Sequence, residues 1–93
     1  MDQADGSARL KFSVTYSAYR EMEQIPQTPL RQIGEVIKTL PDDPHRPGSS
    51  RLQGIGGCYY FAVENYYILY HIDDKEEELT VLGVLNGPYH PIH

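Results

Sequence analysis

Three residues of this chain are candidates for proton transfer in catalysis: His71, Tyr89 and His90. Histidine suits general acid and general base roles because its ordinary pKa is about 6.5. We therefore treat these three as candidate catalytic residues. The alternatives are a surface histidine on a strand for His71, and a packed or solvent-exposed C-terminal tail for the other two.

Arg51, Tyr60 and Tyr67 are candidate substrate-binding residues. The planar guanidinium of arginine can donate to two phosphate oxygens at once. Tyrosine rings can stack on unpaired bases, and their hydroxyls can donate to a phosphate without carrying charge. Tyrosine is equally common in strands for packing alone, so both interpretations of the two tyrosines stay open.

Metal and thiol chemistry have little support in the sequence. His90 and His93 are three residues apart, but Pro91 lies between them and prevents an ordinary helix interior. No carboxylate or cysteine motif accompanies them. The single cysteine, Cys58, excludes an internal disulfide and has no basic neighbour to lower its pKa. The sequence therefore predicts no metal, no cofactor and no reactive thiol.

Length and charge restrict the classes of function. Ninety-three residues predict one domain over 1–93, in which we expect the small, polar residues 1–8 to be flexible. No apolar run is long enough to span a membrane and no secretion signal is visible, which predicts a cytoplasmic protein. The net charge of −5 lies entirely in residues 52–93. This distribution argues against strong, unaided binding of nucleic acid and favours a basic partner.

Hydrophobic periodicity predicts the first elements that position these side chains. Alternation of apolar and polar residues indicates a strand over 10–16. A helix over 18–24 follows, with Ser17 at its N-cap. A second helix of about 11 or 12 residues begins at Thr28-Pro29, carries one apolar stripe and ends before Pro41. The proline-rich residues that follow it form a loop.

The second half of the chain has the pattern of strands. Two strands, 58–63 and 66–72, are joined by a two-residue turn at Glu64-Asn65, and a nearly all-apolar strand over 79–85 is expected to lie inside the sheet. Alternation places His71 on the same face as Tyr67. The order predicts an α+β fold, β-α-α-β-β-β, with a helical hairpin packed on one face of a small, mainly antiparallel sheet. The pattern leaves the partner of the first strand open.

Five stretches of the chain resemble one protein family in both their residues and their order. They are Phe12–Ser17, Leu40–Pro44, Arg51–Gly54, Glu64–Asp73 and Leu79–Val84. They are similar to stretches of the RelE/ParE superfamily of bacterial toxins, and the likeness covers about residues 9–90. The resemblance implies the fold derived above and a toxin of a type II toxin–antitoxin system, neutralised by a cognate antitoxin protein.

The family offers two activities. RelE-like members cut mRNA on the ribosome, and ParE-like members poison DNA gyrase. The tail residues Tyr89 and His90 resemble the tyrosine and histidine near the end of the RelE and YoeB branches. The resemblance therefore implies a RelE-like, ribosome-dependent mRNA endonuclease that blocks translation, with ribosome and mRNA as partners. The alternative is a ParE-like inhibitor of DNA gyrase or a catalytically inactive binding protein with this fold.

The departures from the RNA-cutting pattern favour the alternative. RNA-cutting members carry arginines at places that correspond to Tyr60 and Tyr67, and basic residues at places that correspond to Ala62 and Asn86-Gly87. Arg51 alone keeps a positive charge near the expected groove. Cleavage by attack of the 2′-hydroxyl needs a base, an acid and a donor for the charge that develops on the phosphate. In this chain, histidine and tyrosine would have to replace the missing arginines, with Arg51 as the one remaining cation.

Overall fold

A computed structural model describes residues 9–86, which form seven elements around one core. Residues 1–8, which the sequence predicts to be flexible, lie outside the described range. The elements are β1 (Lys11–Val14), α1 (Tyr16–Glu23), α2 (Gln27–Thr39), β2 (Ser50–Arg51), β3 (Cys58–Val63), β4 (Tyr66–Asp73) and β5 (Glu78–Asn86). The sheet has the strand order β1-β5-β4-β3-β2. β1 runs parallel to β5 and every other pair is antiparallel, which confirms the predicted α+β fold.

The first helix begins two residues earlier than predicted. The Thr15 hydroxyl accepts a hydrogen bond from the Ala18 amide at 3.1 Å, and α1 therefore starts at Tyr16. The same hydroxyl donates to the Leu82 carbonyl of β5 at 3.1 Å. The assignment of the N-cap to Ser17 was wrong because the neighbouring strand, which the local pattern does not reveal, engages Thr15.

The second helix keeps its predicted stripe but begins earlier. α2 starts at Gln27 with Pro26 in the N-cap position and no side-chain cap, and the Leu30 amide donates to the Pro26 carbonyl at 3.0 Å. Pro29 is tolerated because the first amides of a helix have no intrahelical acceptor. Ile33 and Ile37 are buried, and the helix ends just before Leu40 and the turn that follows.

The last three strands form the predicted meander. Val63 pairs with Tyr66 across the Glu64-Asn65 turn, and Glu64 adopts a left-handed backbone with φ 56°. β5 lies between β4 and β1, so the apolar strand is paired on both sides as expected. β2 was not predicted, because two residues inside a proline-rich segment carry no periodic signal. It pairs with Tyr59 and Tyr60 of β3 and becomes one edge of the sheet.

The core fills the space between the helices and one face of the sheet. Its fully buried residues come from both layers, namely Ala18, Ile33, Leu40, Ile68, Tyr70, Leu79 and Val81. The Tyr70 hydroxyl donates to the Pro44 carbonyl at 2.9 Å and anchors the loop between α2 and β2. Tyr59 stacks on the Tyr70 ring with centroids 5.8 Å apart.

One carboxylate ties the first helix to the last strand. Glu21 Oε1 accepts a hydrogen bond from the Val84 amide at 2.8 Å. A Cβ at Gly83 would lie 3.1 Å from the same oxygen, so the absence of a side chain there leaves room for the carboxylate. The pairing of β1 with β5 ends at Val81, so the β5 edge beyond it needs acceptors from elsewhere, and Glu21 supplies one to the Val84 amide.

Candidate functional site

The face of the sheet opposite the helices carries three of the predicted site residues. Ile68, Tyr70 and Ile72 of β4 point into the core, so alternation places Tyr67, Leu69 and His71 on the other side. Cys58, Tyr60 and Ala62 of β3 pair with these three residues and share their face. We call this surface the open face.

Two of the predicted binding residues meet on the open face. Tyr60 and Tyr67 lie on adjacent strands with ring centroids 6.0 Å apart and an interplanar angle of 64°. They are diagonal neighbours, since Tyr60 pairs with Leu69 and Tyr67 pairs with Ala62. The two rings form one aromatic surface, half-buried and uncharged. It has the shape to pack against an apolar partner side chain or a base.

His71 lies on the same face, two residues along β4 from Tyr67. That spacing separates the two residues by about 6.8 Å along the strand. His71 pairs with Cys58 on one side and with Thr80 on the other. A Cβ at Gly57 would lie 2.8 Å from the imidazole Nε2, so the turn before β3 leaves space for the ring only because residue 57 is glycine. The imidazole is half-buried against this turn.

Arg51 does not join the tyrosines. It pairs with Tyr59, whose ring packs against the core and stacks on Tyr70. Directly opposed residues of an antiparallel pair share a face, so Arg51 lies on the helix side of the sheet, at the β2 edge. The position of the arginine just before the hairpin could not reveal this, because the face depends on the register of a strand pair that the sequence did not predict.

The electrostatics of the open face follow from the absence of cations on its strands. β3, β4 and β5 contain neither lysine nor arginine. On the neighbouring edge strand, Lys11 pairs in register with Glu78 of β5. The three central strands of the open face therefore offer aromatic rings, a hydroxyl and one imidazole but no fixed positive charge, and the cation that the register places on this face is Lys11 at the β1 edge, opposite Glu78.

Cys58 is a packed strand residue in the described fold. It is buried, and burial raises the pKa of its thiol above the ordinary value. Because only the thiolate is a good nucleophile, the thiol stays protonated and unreactive near neutral pH. Within residues 9–86 no group of three or more histidine, cysteine, aspartate or glutamate side chains could hold a metal ion.

The two remaining candidates, Tyr89 and His90, lie outside the described residues, as does His93. Their predicted roles stay predictions. The structure thus brings together Tyr60, Tyr67 and His71, and it separates Arg51 from them. In the part of the chain that the structure describes, no helix is long and apolar enough to cross a membrane.

A helical hairpin on one face of such a sheet is the architecture of RelE-like toxins. The chain superposes on a toxin–antitoxin complex RelBE from Mycobacterium tuberculosis with TM-score 0.72 and 24% identity, covering 84% of this chain and 98% of that one. The isolated RelE toxin of E. coli superposes with TM-score 0.74 and 17% identity, and the match covers 87% of each chain. A chromosomal ParDE system of P. aeruginosa superposes with TM-score 0.69 and 16% identity, and the match covers 88% of this chain and 100% of that one. At these identities the likeness establishes the fold.

The family itself follows from the sequence match. The family described as the ParE toxin of the type II toxin–antitoxin system parDE matches residues 14–87. The chain belongs to this family and is a type II toxin of the RelE/ParE superfamily. No curated protein matches the chain.

Proposed function

We propose that this toxin acts by binding a protein target, DNA gyrase, as ParE-like toxins do. The observation that carries the proposal is the composition of the open face. Its three central strands hold an aromatic pair and a histidine but no lysine or arginine. A neutral aromatic surface is suited to contact with a protein, since tyrosine is enriched where interfaces bury rings and keep one polar end hydrated.

The same composition disfavours cleavage of a phosphodiester. The transition state gains negative charge on the phosphate, and fixed cations or several aimed donors normally stabilise it. Tyr60 and Tyr67 could each donate one hydrogen bond but supply no charge. Arg51, the one cation expected near the groove, lies on the opposite side of the sheet. A protein target imposes no such requirement.

The test is inhibition of supercoiling by purified gyrase acting on relaxed plasmid. We expect the parent toxin to inhibit supercoiling and the Tyr67→Ala variant, which removes one ring of the aromatic pair, to inhibit it less, because the open face is the proposed contact surface. Circular dichroism establishes that both proteins are folded. Full gyrase activity in the presence of excess folded toxin would contradict the proposal.

A second candidate is RelE-like, ribosome-dependent cleavage of mRNA. It is favoured by one observation, namely that His71 shares the open face with the Tyr60–Tyr67 pair. In this mechanism His71 is a candidate base or acid, and the rings hold unpaired bases. The tail residues Tyr89 and His90 remain the other proposed catalytic groups.

Mapping of cuts on translating ribosomes, with free mRNA as the control, decides between the two targets. Cuts confined to translated message, lost in His71→Gln, would establish the nuclease and remove gyrase as the primary target. Cuts that persist at the parental rate in Tyr89→Ala and His90→Ala would exclude those two residues from catalysis. Intact message with gyrase inhibited supports the first proposal.

We also propose a cognate antitoxin as the physiological partner, with both proteins in the cytoplasm. Several matched structures are complexes of a toxin with its antitoxin, including one from Pyrococcus horikoshii and one from E. coli. The product of an adjacent open reading frame is the first candidate. Co-expression of that product should restore the growth of cells producing the toxin, and failure of every flanking gene product to do so would contradict this proposal.

A further inference from the structure

Three basic side chains lie together at the β2 edge of the sheet, on the side opposite the open face. Arg51 pairs with Tyr59, whose ring packs on the helix side of the sheet. The exposed His45 imidazole contacts the same ring edge-on, with centroids 5.1 Å apart. The Arg46 guanidinium lies over the Phe61 ring, 4.7 Å from its centroid. We call His45, Arg46 and Arg51 the edge cluster.

The geometry of β3 brings the members of the edge cluster together. Tyr59 and Phe61 are two residues apart on this strand, so they share a face and lie about 6.8 Å apart along it. The loop after α2 lies over both rings, and the Tyr70 hydroxyl holds that loop by its bond to the Pro44 carbonyl at 2.9 Å. The β2–β3 ladder thus positions Arg51, and the anchored loop positions the other two side chains.

The positive charge of the edge cluster is not neutralised within residues 9–86. Neither Arg46 nor Arg51 forms a salt bridge there. Arg46 donates to the Thr39 hydroxyl at 2.7 Å, and this neutral acceptor fixes the guanidinium without cancelling its charge. Of the two acids in the loop, Asp42 is paired with another arginine, and Asp43 is outside any salt bridge. Two arginines against one free carboxylate leave the cluster net positive.

The turn that follows Arg51 adds uncharged donors beside the cluster. Residues 51–56 line a cavity of about 370 Å³. The backbone amides of Gln53, Gly54 and Gly56 donate no hydrogen bond within residues 9–86, and Gly54 has a left-handed backbone with φ 83°. Successive free amides in a turn form a concave surface that binds anions. An oxyanion at Arg51 would therefore receive charge-assisted and neutral hydrogen bonds together.

We propose that the edge cluster binds the phosphodiester backbone of the nucleic acid that the toxin's target carries. The guanidinium fork donates to two phosphate oxygens at once, and such contacts position a protein without reading base sequence. The open face then contacts the protein part of the target, and the β2 edge contacts its nucleic acid. This inference rests on the proposed function, since gyrase acts on DNA and the second candidate target, the ribosome, holds RNA.

The charge of the remaining chain keeps this binding weak in the absence of the target. The net charge of −5 repels a polyanion, and acids lie at the turns between β3 and β4 and between β4 and β5. Two arginine–phosphate contacts release counterions from about two phosphates. The logarithm of the binding constant should therefore fall with the logarithm of salt concentration with a slope of about −2.

Titration of purified toxin into fluorescently labelled nucleic acid, followed by anisotropy, tests the cluster directly. The probes are a DNA duplex and a single-stranded RNA, both of mixed sequence. We expect the double variant Arg46→Gln, Arg51→Gln to lose most of the salt slope of the parent. The control is Arg20→Gln, Arg31→Gln, which has the same net charge but changes arginines of α1 and α2 and should keep the slope. The probe that binds more tightly identifies DNA or RNA as the source of the phosphates.

Single variants of Arg51 separate lost charge from a disturbed fold. Arg46 contacts Thr39 and Phe61, so its replacement can loosen the loop, and a thermal melt of each variant detects this. Arg51 is exposed and has no side-chain partner among residues 9–86. Arg51→Gln should therefore melt with the parent and reduce the salt slope by about 1, whereas Arg51→Lys, which keeps the charge, should retain the slope.

Affinity for purified gyrase, measured with and without DNA bound to it, separates this inference from the proposed target. For the parent toxin we expect DNA to lower the Kd about tenfold. The Arg46→Gln, Arg51→Gln variant should bind DNA-free gyrase like the parent and gain nothing from DNA. A parent that binds no gyrase contradicts the proposed target, and the salt slopes on the two probes then decide the edge cluster alone.

Two results would overturn the inference. One is a double variant that keeps the salt slope of the parent on both probes, since the contacts would then lie elsewhere. The other is a double variant that loses affinity for DNA-free gyrase while the parent binds neither probe, which would assign the edge cluster to an acidic protein surface.

Discussion

Removal of one hydroxyl, in Tyr70→Phe, tests how the loop after α2 is held on the sheet. The Tyr70 ring is fully buried and stacks on Tyr59, and its hydroxyl donates to the Pro44 carbonyl at 2.9 Å. Phenylalanine keeps the ring and its packing. The substitution therefore removes only the contacts of the hydroxyl with the loop that leads to β2, namely the bond to the Pro44 carbonyl and an interaction with the Ser49 side chain.

The expected loss follows from the surroundings of both partners. A net hydrogen bond contributes about 1 kcal/mol, and more when removal leaves a fully buried group without a partner. Pro44 is only partly buried, so water can replace the lost donor at its carbonyl. We expect a decrease of about 1 kcal/mol in the free energy of unfolding. For a domain of this size that corresponds to a drop of about 4–8 °C in Tm.

The pH dependence of the free energy of unfolding at alkaline pH supplies a second test of the buried Tyr70 hydroxyl. Burial raises the pKa of the Tyr70 phenol above its ordinary value of 10.0. The folded state therefore keeps the phenol neutral to a higher pH than the unfolded state does. The resulting stability is fully present below the unfolded pKa and is lost as pH rises through the folded pKa. The Tyr70→Phe variant has no phenol to ionise and does not lose this stability. The difference in the free energy of unfolding between parent and variant should therefore shrink as pH rises above 10.

Urea and thermal unfolding between neutral pH and strongly alkaline pH measure both effects. Tyr19→Phe is the control, since its hydroxyl is on an exposed side chain and its removal should change stability by less than about 0.5 kcal/mol. A Tyr70→Phe protein that melts with the parent at neutral pH would refute the loop anchor. An unchanged deficit at alkaline pH would refute the role of burial.

Three further substitutions, two of them with a matched control variant, test the contacts that hold the helices and the turn before the hairpin. Thr15→Ala removes the α1 cap and should cost about 1 kcal/mol in urea unfolding, whereas Ser17→Ala should cost less than about 0.5 kcal/mol. Glu21→Ala removes the acceptor of the Val84 amide in β5 and should lower the free energy of unfolding by about 1–3 kcal/mol. Thermal melting measures this loss, and an unaltered Tm would contradict it. Gly57→Ala should destabilise by about 1–3 kcal/mol, because φ is 78° and the new Cβ meets an imidazole at 2.8 Å. Gly34→Ala, in open space within a helix, should instead stabilise by about 0.5–1 kcal/mol, and equal effects of the two glycine variants would contradict the assigned backbone geometry.

Local patterns predicted most of the architecture correctly. The hairpin around Glu64-Asn65 could be predicted because two strands with period-two alternation flank a two-residue turn. The stripe of α2 could be predicted because its apolar residues recur at helical spacing. The same alternation placed His71 on the face of Tyr67, since the side-chain period of a strand does not depend on its neighbours.

Contacts between segments far apart in the chain account for the differences between the predicted and the observed structure. The true cap of α1 is Thr15 because its hydroxyl also reaches a carbonyl of β5, 67 residues away in the chain. The cation at Arg51 lies apart from the aromatic pair because Ser50–Arg51 form a strand whose register pairs Arg51 with Tyr59. Neither contact leaves a signal in the local sequence. The sequence did not locate the apolar groove that Tyr19, Met22, Glu23 and Leu30 line between α1 and α2, because exposed tyrosines look like ordinary surface residues until the two helices are placed side by side.

The sequence by itself determined the fold class, the meander, the missing arginines and the membership of a toxin family. These depend on residue types and short-range periodicity, which the chain carries before it folds. Only the tertiary structure decided which side chains share a face, where the first strand pairs, and which apolar surface stays exposed between the helices. Those outcomes depend on strand register and helix packing, and a shift of one residue in register moves a side chain to the opposite face of the sheet.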